Sequence, residues 1–219
     1  MELKEAILGR RSIRQFLAKQ VPEKTIKEIL KEAVWCPSWG NTQPWEVKIV
    51  TGPVLEQLKK ENKEAIVSGK DPAPDIPMPE NWPVPMKKRY ANVGKRVFDS
   101  LSIARNDKKG RREHYADMFA FFDAPALLLF TTDKRLAVEY SLLDIGIFIQ
   151  NFCLLAYERQ LGTCVMAAAI HFPEILRRLC SIPDDQRIVI GIALGYPDKK
   201  HPVNQFERER IPVEDFVRE

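Results

Sequence analysis

Histidine and cysteine are scarce in this chain, and neither is clustered. Three histidines lie far apart, and four cysteines (Cys36, Cys153, Cys164 and Cys180) form no Cys-x-x-Cys pair. That spacing excludes the usual zinc arrangements and a dithiol redox centre, and it suits free thiols in a reducing compartment. An excess of one charge is also missing. With 34 Lys and Arg against 30 Asp and Glu, the net charge is +4, too mild for the whole molecule to act as a polyanion binder. The opening Met1-Glu2-Leu3-Lys4-Glu5 is already polar, so no secretory signal is expected and the cytoplasm is. The longest apolar stretch, Leu142 to Tyr157, is interrupted by Asp144, Gln150 and Asn151. It is too short and too polar for a bilayer span and is expected as a buried helix. No internal repeat, low-complexity tract or domain linker breaks the sequence, and no carboxylate pair, Ser–His pair or activated cysteine stands out.

What is present suffices for a real core. With 45% hydrophobic residues in 219 positions, residues 1–219 are expected to form a single domain. Leu3, Ala6 and Ile7 start a short helix that stops near Gly9. Ile26, Ile29, Leu30, Ala33 and Val34 repeat at helical spacing and predict a helix over 22–36, ended by Pro37. Trp45, Val47 and Ile49 alternate as in a strand before Thr51-Gly52-Pro53. A polar helix is predicted over 54–68, a long central helix over 136–160 and a helix over 173–179. Strands are predicted over 124–131, 163–169 and 187–195. Strands separated by helices point to a mixed α/β or α+β sandwich.

The middle of the chain is different. Residues 71–85 hold six prolines, and residues 87–112 carry ten Lys or Arg against two Asp. The prolines demand a stiff extended loop, and the basic stretch fits one or two helices. Together, about 70–115 is expected to be a lid or arm over the body. The basic stretch also allows a rival reading as an RNA-binding module, but it has few aromatics for stacking bases and no recognition motif.

Two basic clusters come from opposite ends of the chain. Arg10-Arg11-Ser12-Ile13-Arg14 places three guanidinium groups and a hydroxyl in five positions, and Arg208 and Arg210 follow near the other end. Arginine's planar fork bonds phosphate oxygens in pairs, so the clusters suggest one anion held from two sides. Solvated basic surface is the plainer alternative.

Four separated motifs resemble one known family. Arg10-Arg11-Ser12-Ile13-Arg14-Gln15-Phe16 is similar to the opening motif of the flavin-dependent nitroreductases. Cys36-Pro37-Ser38-Trp39-Gly40-Asn41-Thr42-Gln43-Pro44-Trp45 resembles their PSxxNxQPW loop. Asp144-Ile145-Gly146, Gln150-Asn151 and Leu161-Gly162-Thr163 resemble the central-helix signature, and Gly195-Tyr196-Pro197 with Arg208-Glu209-Arg210-Ile211-Pro212 the C-terminal closure. The motifs stand in family order across nearly the whole chain. The resemblance implies an α+β (mixed α/β) sandwich, with a central mixed, mostly antiparallel sheet flanked by helices in an intertwined homodimer. It implies FMN as cofactor. By position, Arg10, Arg11, Ser12, Arg208 and Arg210 would hold its phosphate and ribityl chain, and Arg14 would lie toward the pyrimidine edge. Pro37, Ser38, Trp39 and Asn41 would reach the ring from the partner subunit. Ala167 and Ala168 stand where the family often has an acidic residue and a glycine. Their backbone N–H groups would approach flavin N5.

The resemblance also implies the reaction. NADH or NADPH delivers hydride to the flavin, and a nitroaromatic, a quinone or a similar electron-poor small molecule then takes the electrons in ping-pong order. Relatives of the same fold carry out reductive dehalogenation, flavin fragmentation or ring oxidation, and these remain alternatives. Neither a nucleic acid nor a membrane is an expected partner.

Overall fold

A period-two apolar pattern builds the centre of the molecule. In the computed structural model, which describes residues 1–218, strand β2 (Ala126–Asp133) is buried on both sides. Leu127 and Leu129 face one layer of helices, and Ala126, Leu128 and Phe130 face the other. Strand β2 pairs antiparallel with β1 (Glu46–Thr51) on one side and β4 (Gln186–Gly195) on the other. Strand β4 then pairs antiparallel with β3 (Gly162–Met166), giving the order β1-β2-β4-β3. A single parallel bridge, Ser12 to Thr163, adds the head segment beside β3. The expected α+β sandwich is therefore present, and its mixed character comes from that one bridge.

Helices α2 (Glu23–Ala33) and α6 (Val138–Glu158) cover one face of the sheet. Helices α3 (Gly52–Val67), α5 (Lys108–Phe119) and α7 (Pro173–Cys180) cover the other. Each turns its apolar stripe inward, as Ile26, Ile29 and Ala33 do on α2. Helix α1 (Leu3–Gly9) lies against α6. The approach needs glycine, since a Cβ on Gly9 would fall 2.1 Å from the Tyr157 hydroxyl oxygen. Helix α4 (Val84–Ser100) stands apart, with only Val97 and Phe98 buried.

Several boundaries differ from the sequence expectation, each for a local reason. Strand β3 stops at Met166, and Ala167–Ile170 form a 3-10 turn instead of more strand. That turn presses on β4, where a Cβ at Gly191 would come within 2.5 Å of the Ala169 Cβ. Trp45 precedes β1 rather than opening it. Helix α4 begins inside the proline-rich stretch, because Pro85 sits in its first turn, where no N–H is needed. The early part of that stretch is tied down. Ala73 donates to the His171 carbonyl at 3.0 Å. Asp75 accepts from Arg177 at 2.6 Å and from the Ile188 N–H at 2.7 Å, while Ile76 and Met78 pack on the core. The longest continuously exposed run among the described residues is Pro79 to Ala91.

Helix α6 is longer than the apolar stretch it contains. At 21 residues, with an 18-residue window of mean hydropathy 1.4, it has the length and composition of a membrane span that the shorter stretch lacked, yet it serves as the expected buried helix. Ile145, Ile149 and Phe152 enter the core of this chain, whereas Tyr140 and Leu143 remain 49% and 59% exposed on its open side.

Candidate functional site

The head motif is fastened to β3 by backbone. Ile13 donates its N–H to the Thr163 carbonyl at 2.9 Å, and Phe16 bridges Pro197. Ile13 and Phe16 are buried, which leaves Arg10, Arg11, Ser12 and Arg14 half-buried around them. Gly162 permits this approach, because a Cβ there would meet the Ile13 side chain at 2.6 Å.

The tail then closes on the head. Asn204 accepts the Arg14 N–H at 2.8 Å and donates to the carbonyls of Gln15 at 2.8 Å and Asp198 at 2.9 Å. Arg11 donates to the Phe206 carbonyl, and Arg208 donates to the carbonyls of Leu8 and Arg10 at the end of α1. The Phe206 ring lies 5.5 Å from the guanidinium carbon of Arg11 and 5.9 Å from that of Arg14. Arg10, Arg11, Ser12, Arg14, Arg208 and Arg210 thereby line one cavity of about 180 Å³. The structure brings these sequence-predicted residues together.

The positive charge in this cavity is under-compensated. Burial and the nearby guanidinium groups of Arg208 and Arg14 hold Arg11 below the usual arginine pKa. Burial, Arg210 and Arg10 do the same to Arg208. Arg10 Nε is buried with no hydrogen-bond partner among the described residues. The neighbouring Glu207 and Glu209 are drawn off by Arg96. Crowded cations with a spare buried donor fit a phosphate group, which brings acceptor oxygens and negative charge to the same point. The roles within the cluster are unequal. Arg208 spends two donors on backbone carbonyls, while exposed Arg210, among the described residues, bonds only the Glu209 carbonyl, at 2.7 Å.

The other predicted residues lie elsewhere in this chain. Ala167 and Ala168 sit at the far end of β3 from Thr163, roughly 13 Å along the strand at its usual rise per residue. Ala168 is buried and Ala167 exposed. Pro37, Ser38, Trp39 and Asn41 form a turn on the α2–α6 side. Trp39 donates its N–H to both Asp144 oxygens, at 3.2 and 3.1 Å, and its ring stands edge-on to Tyr140 at 4.0 Å. Gln43 donates to Ser38 Oγ at 3.1 Å. Gly40, Asn41 and Gln43 all take left-handed φ values, of 51°, 60° and 49°, which short polar residues and glycine tolerate best. Pro37, Trp39 and Asn41 are exposed and line no shared cavity with the arginines among the described residues.

Sequence reasoning missed Asn204 and Phe206, the residues that lock the tail onto the head. The tail has no periodicity there, and its only signal was proximity to Arg208. It also missed a second cavity, of about 740 Å³, between α4 and α5, which shares Arg14 with the first. His114 in this cavity is held below the ordinary histidine pKa by burial and then by Arg14, with Asp117 opposing.

Comparison with known proteins fits this geometry. The chain is 36% identical to the chloronitrobenzene nitroreductase of Comamonas testosteroni over 97% of its own length and 94% of the relative's. It is 32% identical to the 4-nitrobenzoate reductase of Pseudomonas putida, over 96% and 92% of the two chains. Its fold superimposes on the crystal structure of the FMN and NADPH-dependent nitroreductase NfnB from sphigopyxis sp. strain HMH with a TM-score of 0.95 at 28% identity, covering 100% of this chain and 98% of that one. The description of the Nitroreductase family matches residues 7–196, so both the arginine-bearing head and the strand that anchors it fall within the match, and the chain belongs to the nitroreductase family.

Proposed function

We propose that the protein is an FMN-dependent oxidoreductase that draws on NADH or NADPH and reduces nitroaromatic or similarly electron-poor small molecules. The observation that carries this reading is the cavity where head and tail arginines meet with unspent donors. When bound, FMN supplies the ring that accepts hydride and hands it on. The chain's own residues bind and orient. Arg10, Ser12 and the guanidinium N–H groups that Arg210 does not give to the Glu209 carbonyl are the donors left for the phosphate, and each charge-assisted hydrogen bond contributes about 1.5–3 kcal/mol. Arg14 lines both cavities and would supply a fixed cation to negative charge that develops on a bound flavin. The backbone at Ala167 and Ala168 carries no bulky side chain, which leaves room for the close approach of a flat ring.

A homodimer completes this reading. The open side of α6 presents Tyr140, Leu143 and Ile147 at helical spacing beside bare Gly146 and the exposed Trp39 turn. A second subunit would cover that apolar stripe and carry Pro37, Ser38, Trp39 and Asn41 to the neighbouring flavin. Four buried free thiols suit a reducing, cytoplasmic setting.

The visible spectrum of freshly purified protein tests the cofactor, with release and chromatography separating FMN from FAD. Flavin bands bleached by NADH or NADPH and restored by nitrobenzene are expected. The double substitution Arg10→Ala with Arg210→Ala should give a folded, colourless protein, since neither side chain anchors a distant segment. Full flavin occupancy in that variant would remove the arginine cavity from the reading.

A further inference from the structure

The large cavity between α4 and α5 has walls of a definite chemistry. Tyr90, Phe98, Tyr115 and Phe122 line it. The His114 imidazole lies 5.4 Å from the Phe98 ring and 5.8 Å from the Phe122 ring. At about 740 Å³, this ring-lined slot is of a size that takes a small planar aromatic. Its charge is one-sided. Arg14, Lys95, Arg105 and Arg111 line it against the single carboxylate of Asp99. None of these four cations forms an ion pair among the described residues; the nearest pairs on these helices belong to Arg96 and Lys109.

Arg111 is the cation held in place. Its guanidinium carbon stands 4.0 Å from the centroid of the Phe98 ring, and Phe98 is itself buried on α4. Stacking occupies the flat face of the guanidinium and leaves its in-plane N–H groups for a carboxylate. The cavity also shares Arg14 and Val93 with the phosphate-fitting cavity, so the two are adjacent.

We propose that the α4–α5 cavity receives the electron-accepting arene, and that Arg111 makes the site selective for arenes carrying an anionic group, such as nitroarene carboxylates, over neutral nitroarenes. This rests on the oxidoreductase reading and adds the charge of the substrate to it. Burial disfavours the charged form of His114, so the permanent charge beside the aromatic wall is that of half-buried Arg111, while Arg105 and Lys95 are exposed.

The test compares 4-nitrobenzoate with nitrobenzene, which share the ring and the nitro group and differ in the carboxylate. In the flavin-loaded protein, Arg111→Gln should raise KM for 4-nitrobenzoate about tenfold and leave KM for nitrobenzene within about twofold. Arg111→Lys, which keeps the charge and loses the fork, should recover part of the effect, and it serves as the informative variant if Arg111→Gln fails to fold. Calorimetric titration with benzoate, which is not reduced, reads the same contact without turnover and should show weaker binding in Arg111→Gln. Equal effects on both nitroarenes, no effect on either, or a change confined to KM for NADPH overturns the proposal. If native protein reduces both compounds while Arg111 proves indifferent, only this proposal falls. If it binds benzoate through Arg111 but reduces neither nitroarene, the oxidoreductase reading falls, and the acceptor role with it.

Discussion

Arg208 shows how far a single residue is legible in a sequence. Its type and position beside Arg210 marked it as an anion ligand, and it does line the arginine cavity. Yet it also clamps the Leu8 and Arg10 carbonyls, a duty that depends on where α1 ends in space and leaves no local pattern. Asp144 was legible as a polar break in an apolar stretch, and its partner, the Trp39 N–H, lies 105 positions away. The histidines carried no sequence signal at all, because their environment is set by packing. His114 and His171 are both held below the ordinary value of 6.5, the first by burial and Arg14 against Asp117, the second by burial. A depressed histidine pKa means the unfolded chain takes up protons before the folded one does as pH falls. Stability is therefore full above about pH 6.5 and declines as acid is added below it. The thermal midpoint should drop between about pH 7 and pH 5.5, and the double substitution His114→Gln with His171→Gln should flatten that slope. A midpoint that ignores pH over this range would contradict the burial of both rings.

Elements were legible where periodicity was strong and became blurred where tertiary contacts decide. Apolar repeats located α2, α6, β2 and β4 to within a few residues. The end of β3 was misjudged, because Ala167 to Ala169 read as apolar strand while the close fit of Ala169 to Gly191 turns the chain. The proline-rich loop was recognisable as extended, but its attachment was not, since a carboxylate in a loop gives no hint of a partner 102 positions away. That attachment divides the loop into two parts with different expected responses. Asp75→Ala leaves the buried Ile188 N–H without its acceptor and takes the carboxylate from Arg177, which keeps the Pro183 and Gln186 carbonyls, and should cost on the order of 2 kcal/mol of stability. Asp75→Asn keeps an acceptor and should cost less. Deleting 79–82, which is exposed, should leave the melting temperature nearly unchanged and alter the preference among electron acceptors instead. Calorimetric melting and relative kcat/KM values for nitrobenzene and 4-nitrobenzoate check both arms. Equal melting of the two variants would mean that Asp75 is no anchor.

At the scale of the molecule, the sandwich and its family were readable because four motifs kept their order over nearly the whole chain. The spatial relation of the motifs was not readable. Within one chain the head and tail arginines meet, while the Pro37–Asn41 turn sits across α6, beside an apolar stripe left open. A two-subunit site accounts for both facts. Leu143→Glu places a charge in the middle of that stripe and should convert the proposed dimer to monomer, with loss of the proposed flavin, by light scattering and absorbance. A monomer that keeps its flavin would mean that one chain forms the site alone. The junction of residues 8–16 with 196–208 has a further consequence, for biogenesis. The proposed phosphate pocket joins segments 198 positions apart in sequence, so during synthesis its first half waits for its second. On that reading flavin loading follows synthesis of Arg208 and Arg210, and the head must stay soluble and unliganded until that segment has left the ribosome.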